Sequence, residues 1–329
     1  MHIITNNETP VKTPGRDISL DAAAGLMIIL MVLLHLGQCC LYQSKIVQSV
    51  LNTINFFVPW FFIKCGLFAR KETLSTTFRK SYGRLVKPFI VFSILGHALW
   101  CVQVYLEGDD NPLHYLLSPF KCVLLHGSVA GNGPLWFLFS LFVVRLSFSF
   151  LLNKNANIVL VLLLSALFGF CTTVVPLPLP EYIGNISLGL SFCSAGYIMK
   201  FIDFHKYNII LGGIFVTTKL FIPSSVDMAH NWILYGNYFV YFIQSILGFV
   251  IVNYLFTKTM FGRISILQYL GRESMGLLCI HILVIRMCFL LWDIMQIHFS
   301  AASEYYLILI ILVLTFPLLN KLFKKFGWL

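Results

Sequence analysis

The sequence predicts an all-α, polytopic membrane protein of about ten transmembrane helices with both termini in the cytoplasm. Three observations carry that expectation. Hydrophobic residues make up 58% of the 329 and charged residues 11%, with a mean hydropathy of +0.84; soluble domains carry about 25% charged residues. Apolar runs of roughly 20 residues recur along the chain, the length at which a helix crosses a bilayer with its backbone groups satisfied internally. The basic residues also segregate when successive loops are assigned to alternate sides, as the positive-inside rule requires.

Apolar windows bounded by charges and by Pro/Gly clusters place the spans near 18–38, 50–69, 82–106, 134–152, 157–176, 183–201, 207–222, 233–256, 274–295 and 303–320. Residues 1–17 are polar and precede a long apolar run, so they read as a cytoplasmic tail before a retained first span. Residues 18–329 form one ten-span domain. Of the 23 basic residues, 17 fall in the tail and in loops on the same side, among them Lys12, Arg16, Arg70, Arg79, Arg84 and Lys87. The opposite loops hold Lys45 and Lys121, together with Glu107, Asp109, Asp110, Glu181, Asp227, Asp293 and Glu304. The net charge of +10 is thus a topology signal and gives no reason to expect a nucleic-acid partner. The nine cysteines lie mostly in apolar runs without metal-type spacing, so neither a disulfide framework nor a metal site is expected. The loop near 107–133 is rich in Gly, Pro and Asn and reads as turns. No internal repeat is visible.

His35 closes the first apolar run, which opens with Asp21. An ionisable group at membrane depth is costly and marks a functional site by default; the plain alternative is a ring that snorkels or bonds a neighbouring helix. Asp21 and His35 are 14 residues apart, which puts them about 40° apart around a helix and roughly 21 Å apart along it. They share a face and cannot touch. Asp21 also suits the positive end of a helix dipole. The segment from Phe78 to Pro88 places Arg79, Arg84 and Lys87 ahead of the third span. Arg84 and Lys87, three apart, fall on one helical face, a pairing suited to a phosphate-bearing ligand or simply to anionic lipid headgroups. Gly131-Asn132-Gly133-Pro134-Leu135-Trp136 opens the fourth span, with Trp136 where an interfacial aromatic belongs. Ser274 to His281 places a second histidine among small residues in the ninth span. Lys64, Arg145 and Arg286 lie within spans and are candidates to line a polar cavity or meet acids.

Taken in order, these pieces resemble the acyltransferase 3 family of integral membrane acyltransferases. The resemblance rests on Ser19-Leu20-Asp21 through Gly25 to His35, on the basic cluster ending at Arg84, Lys87 and Pro88, on Leu135-Trp136-Phe137-Leu138, and on Ser274 to His281. It implies transfer of an acyl group, commonly acetyl from acetyl-CoA, to a hydroxyl of a surface glycan or glycolipid across a bacterial inner membrane. Acyl-CoA would be a substrate, and no permanently bound cofactor is implied. His35 would be the catalytic histidine, with Asp21 on its face. Arg84 and Lys87, with Arg79, would stand where the family places a cytoplasmic arginine pair linked to the acyl donor. Trp136, Arg145, Lys64, Ser274 and His281 are candidates to line the cavity or stabilise an oxyanion. One position departs from the family pattern: a basic residue eleven positions before the histidine is replaced by Ala24, so Lys64 or Arg145 would have to supply that charge from another helix. The rival reading is a non-enzymatic transporter or exporter of a glycan or lipid-linked intermediate, using the same polar residues as a pathway.

Overall fold

Asp17 starts the first helix. Its carboxylate accepts hydrogen bonds from the backbone N–H of Ser19 at 2.9 Å and Leu20 at 3.2 Å, satisfying donors that helix geometry leaves unpaired. The computed structural model describes residues 17–108, 111–175 and 179–329. Lys12, Arg16, Asp109, Asp110 and the 1–16 part of the tail lie outside those residues.

The helices follow in chain order. They begin with α1 (Ile18–Cys40), α2 (Lys45–Thr53) and α3 (Phe57–Leu67). Next come α4 (Leu74–Ser81) and α5 (Lys87–Leu106), joined without a loop through a π-helical turn at Tyr82–Val86. After them stand α6 (Pro112–His126), α7 (Trp136–Asn153), α8 (Ile158–Val174), α9 (Glu181–Met199) and α10 (Asn208–Phe221). A hairpin of β1 (Ser225–Asp227) and β2 (Trp232–Tyr235) precedes α11 (Tyr238–Lys258), α12 (Ser265–Arg272), α13 (Ser274–Met295) and α14 (Ala301–Lys325).

Every expected span carries a helix. Seven helical stretches among the described residues are long and apolar enough to cross a membrane: Ile18–Cys40, Lys45–Leu67, Leu74–Leu106, Gly133–Asn153, Tyr238–Lys258, Ser274–Met295 and Ala301–Lys325. α8 and α10 are apolar but only 17 and 14 residues long. α9 is diluted by Gly184, Asn185, Gly189, Ser191, Ser194 and Gly196, all buried. The outer faces of α5 and α14 expose Ile90, Ile94, Ile310, Val313, Leu314 and Leu318, a surface that water does not tolerate and lipid does. The protein is an integral, multi-pass, helical membrane protein.

Three local expectations are corrected. Residues 107–133 are not only turns, because α6 occupies 15 of them. The same residue types serve as its ends: the Asn111 side chain accepts from His114 N–H, Pro112 sits at the first position, and Gly127 closes it at φ 73°. The eighth span begins at Tyr238, not 233, because residues 225–235 pair as an antiparallel hairpin. The second span is broken at 54–56 into α2 and α3.

Glycine lets two helix pairs approach to backbone contact. A Cβ on Gly66 of α3 would overlap the Cys193 carbonyl of α9, and one on Gly196 of α9 would overlap the Ile63 carbonyl of α3. α1 and α12 interlock likewise, Gly25 against the Leu267 carbonyl and Gly271 against that of Asp21. Small residues at reciprocal positions give close packing where lipid supplies no hydrophobic drive. α9, locked to α3, also packs on α7 and α8, while α1 packs on α11, α12 and α13.

Candidate active site

The carbon framework places His35 five residues before the end of α1, half-buried on the wall of a cavity of about 370 Å³. Its Nδ1 lies 3.2 Å from Gln38 Oε1. An amide oxygen only accepts, so Nδ1 is the protonated nitrogen, and Nε2 of the neutral ring is left with a free lone pair. Behind His35 stands His281 of α13, fully buried, with ring centroids 5.4 Å apart and planes inclined by 35°. His281 Nδ1 donates to the Leu277 carbonyl at 2.9 Å. Its Nε2 is buried with no hydrogen-bond partner.

Trp136 lines the same chamber from the start of α7 and is buried there. The turn before it is fixed by Asn132, whose Nδ2 donates to the Cys279 carbonyl at 3.0 Å. One side chain thus anchors the Trp136 turn two residues from His281. The hairpin supplies the opposite wall with Asp227 and His230, bonded Oδ2 to Nδ1 at 2.9 Å. The other Asp227 oxygen accepts from Ala229 N–H at 2.8 Å. Asn55 Nδ2 donates to the Ser224 carbonyl at 2.9 Å, and Asn185 Nδ2 to that of Ala229 at 3.1 Å, so the hairpin is held onto the helices.

A second cavity, of about 380 Å³, lies further along the same scaffold. α3 contributes Phe57 and Val58 to the first chamber and Phe61, Lys64 and Cys65 to the second; α7 contributes Trp136 to the first and Leu141, Arg145 and Phe148 to the second. At 1.5 Å per residue, the step from Val58 to Lys64 is about 9 Å and from Trp136 to Arg145 about 13–14 Å. Lys64, Arg70, Arg84 and Arg145 converge on this second chamber, with Ser274 at its edge. Its one lining carboxylate, Glu72, is paired with Lys80 at 2.7 Å. The Lys64 ammonium also sits 5.1 Å from the centroid of the Trp60 ring, a cation–π contact.

No side chain lines both chambers. Phe137, next to Trp136 in the chain, meets Phe61 of the second chamber's wall at 5.8 Å and Phe62 at 5.3 Å.

The remaining expected residues lie elsewhere. Asp21 is buried where α1 meets α12 and lines neither chamber. Ala24 is also buried, with a relative exposure of 1%. Arg79 and Lys87 are exposed and off the cavity wall, Lys87 reaching toward Gly327. Of that trio only Arg84 lines the cavity, and it is exposed like the others; it sits in the π-helical turn, whose wider i→i+5 step breaks the shared face an α-helix would give Arg84 and Lys87. Arg286 bonds Gln103 Oε1 and the Ala130 carbonyl, each at 2.9 Å, and ties α13 to α5 and the loop before α7.

The family model described as an acyltransferase domain, that of acyltransferase 3, matches residues 17–319. The chain belongs to the acyltransferase 3 family. Neither the curated proteins nor the solved structures contain a match to it. As an acyltransferase 3 protein it is a membrane acyltransferase, and the match runs from the cap of α1 into α14, through both chambers. The Arg70 guanidinium and the Asp227–His230 pair of this acyltransferase escape sequence reasoning: Arg70 reads as a topology charge, and the hairpin pair sits in no motif.

Proposed function

We propose that this protein moves an acyl group, acetyl in the simplest case, from cytoplasmic acyl-CoA to a hydroxyl of an extracytoplasmic glycan or glycolipid. We place it in a bacterial inner membrane, with ten spans and both termini inside. The observation that carries the reading is the pair of chambers on shared helices: an imidazole with a free lone pair at one end of α3 and α7, and four cations at the other.

In this reading the phosphates of coenzyme A lie against Lys64, Arg70, Arg84 and Arg145; the three guanidinium groups bind such oxygens in pairs, and the Lys64 ammonium adds a point charge. Lys64 and Arg145 supply the charge that Ala24 lacks. The thioester arm extends toward His35 once Phe61 and Phe137 part. His35 Nε2 takes the proton of the acceptor hydroxyl as its oxygen attacks the thioester carbonyl. The C–O bond forms, the tetrahedral intermediate collapses, the C–S bond breaks, and the imidazolium returns the proton to the departing thiolate. Gln38 keeps the His35 tautomer, and His281 fixes the ring's position from behind; both are positioning residues. Trp136, on the chamber wall, is the nearest indole donor for the developing oxyanion.

The test is acyl transfer from radiolabelled acetyl-CoA to membrane glycans by the purified protein in proteoliposomes. His35→Ala cuts transfer by roughly 10²–10⁴-fold while the protein remains folded and inserted. Full activity in that variant would refute the assignment, and substrate flux without acyl-CoA would favour a carrier.

A further inference from the structure

We propose that a third cavity, adjoining the His35 chamber, is an acceptor subsite for an anionic group, a phosphate or a carboxylate, carried by the saccharide whose hydroxyl reaches His35. This rests on the acyl-transfer reading and deepens it by naming the acceptor class. The cavity holds about 730 Å³ and shares Gln48, Asn52 and Tyr235 with the chamber of His35, so the two are compartments of one groove.

Its chemistry is one-signed. Lys45 and Lys219 line it and no carboxylate does. Neither lysine forms an ion pair among the described residues. Lys219 is half-buried, and its ammonium donates to Asn55 Oδ1 at 2.7 Å. Asn55 itself lines the His35 chamber and is fixed by its bond to the Ser224 carbonyl. That bond therefore sets a positive charge at the junction of the two compartments. Ammonium groups have three donors, and an amide oxygen occupies one of them. Gln48 Nε2 donates to Asn52 Oδ1 at 2.8 Å, which leaves Gln48 Oε1 and Asn52 Nδ2 to meet sugar hydroxyls. A partly buried cation without a counter-charge is costly alone and favourable once an anion arrives.

The test is a ligand-observed NMR titration of the full chain in detergent, without acyl-CoA, using glucose, glucuronate and glucose 1-phosphate as matched probes. At least one anionic sugar binds about fivefold or more tightly than glucose. Lys219→Gln and Lys45→Gln each remove most of that advantage, and Lys219→Arg retains it. Preference for glucose 1-phosphate identifies a phosphate-linked acceptor; preference for glucuronate identifies an acidic sugar. Equal binding of the three sugars overturns the proposal, as does an anion preference that survives both Gln variants. Binding of short-chain phosphatidylglycerol with no affinity for either sugar anion assigns the cavity to a lipid headgroup and overturns it too. Lys45 is exposed, so its substitution reports even if Lys219→Gln disturbs folding. The readout involves no acyl transfer, so its failure is distinct from failure of the His35 assignment.

Discussion

The chambers at the two ends of α3 and α7 are almost equal in size, about 370 and 380 Å³, yet they are built for different work. The His35 chamber has no lysine or arginine on its wall and holds amides, aromatic rings, two histidines and one carboxylate. The other gathers four cations around a single carboxylate that Lys80 already engages. Under the proposed function, the difference is how a helix pair would divide a reaction along its length. A general base must carry the proton it takes, and a cation on the same wall would disfavour that imidazolium. Phosphate binding needs the opposite surroundings. About 9–14 Å of helix separates the residues that line the two.

The sharpest way to break this division is to remove its base. His35→Ala lowers kcat by roughly 10²–10⁴-fold, the usual worth of a general base, and leaves KM for acyl-CoA unchanged. If KM rises as much as kcat falls, the chambers are not separate in function. The scaffold comes next. Gly196→Leu drives a side chain into the Ile63 carbonyl of α3 and costs about 1–3 kcal/mol or more of stability, measured as a fall in Tm in detergent; a neutral outcome would mean that α3 and α9 are not in backbone contact.

Smaller effects sharpen the other side. Arg145→Gln and Arg84→Gln each raise KM for acyl-CoA by about fivefold to tenfold, with little change in kcat, while Lys87→Gln, off the cavity wall, does not. Equal effects from all three would restore a simple surface patch. The smallest effect concerns the end of the molecule where α13 and α14 meet. Burial opposes ionisation of the Glu273 carboxyl, but hydrogen bonds from Lys324 and Asn320 outweigh it and hold its pKa below the ordinary value. A depressed carboxylate contributes stability that is complete above the unfolded range, near 4.3, and is lost as pH falls through the folded value. Glu273→Gln therefore lowers stability by up to about 1 kcal/mol at neutral pH and flattens the acid limb of a Tm–pH curve; an unchanged limb assigns the acid sensitivity to other groups.

Helix positions were legible because a bilayer imposes a length, and runs of that length are visible in the sequence: the ends of α1, α7 and α13 fall within a few residues of the expected spans. α6 was hidden because Asn111, Pro112 and Gly127 are turn formers and helix ends alike, and composition does not distinguish the two uses. The β1–β2 hairpin is too short for its alternation to register against the apolar span that follows. Of the site, His35, Trp136 and His281 stood out singly, whereas their meeting did not, since nothing in the sequence relates α1, α7 and α13 in space. Lys64 and Arg145 could be named as candidates only because a charge inside an apolar run is expensive. Their convergence with Arg84 depends on tertiary packing and on one irregular turn.

That turn has a consequence for how the chain tolerates changes in length. Tyr82–Val86 winds one residue more than an α-helical turn would. Deleting a single residue there would let the segment close into a regular α-helical turn, keeping α4 and α5 nearly in phase while re-aiming the side chains inside the turn. Arg84 would be re-aimed away from the cavity, whereas the Thr77–Ser149 hydrogen bond of 2.9 Å that docks α4 on α7 would persist. One deleted residue would thus take a cation out of the cavity wall and leave the helix around it in place.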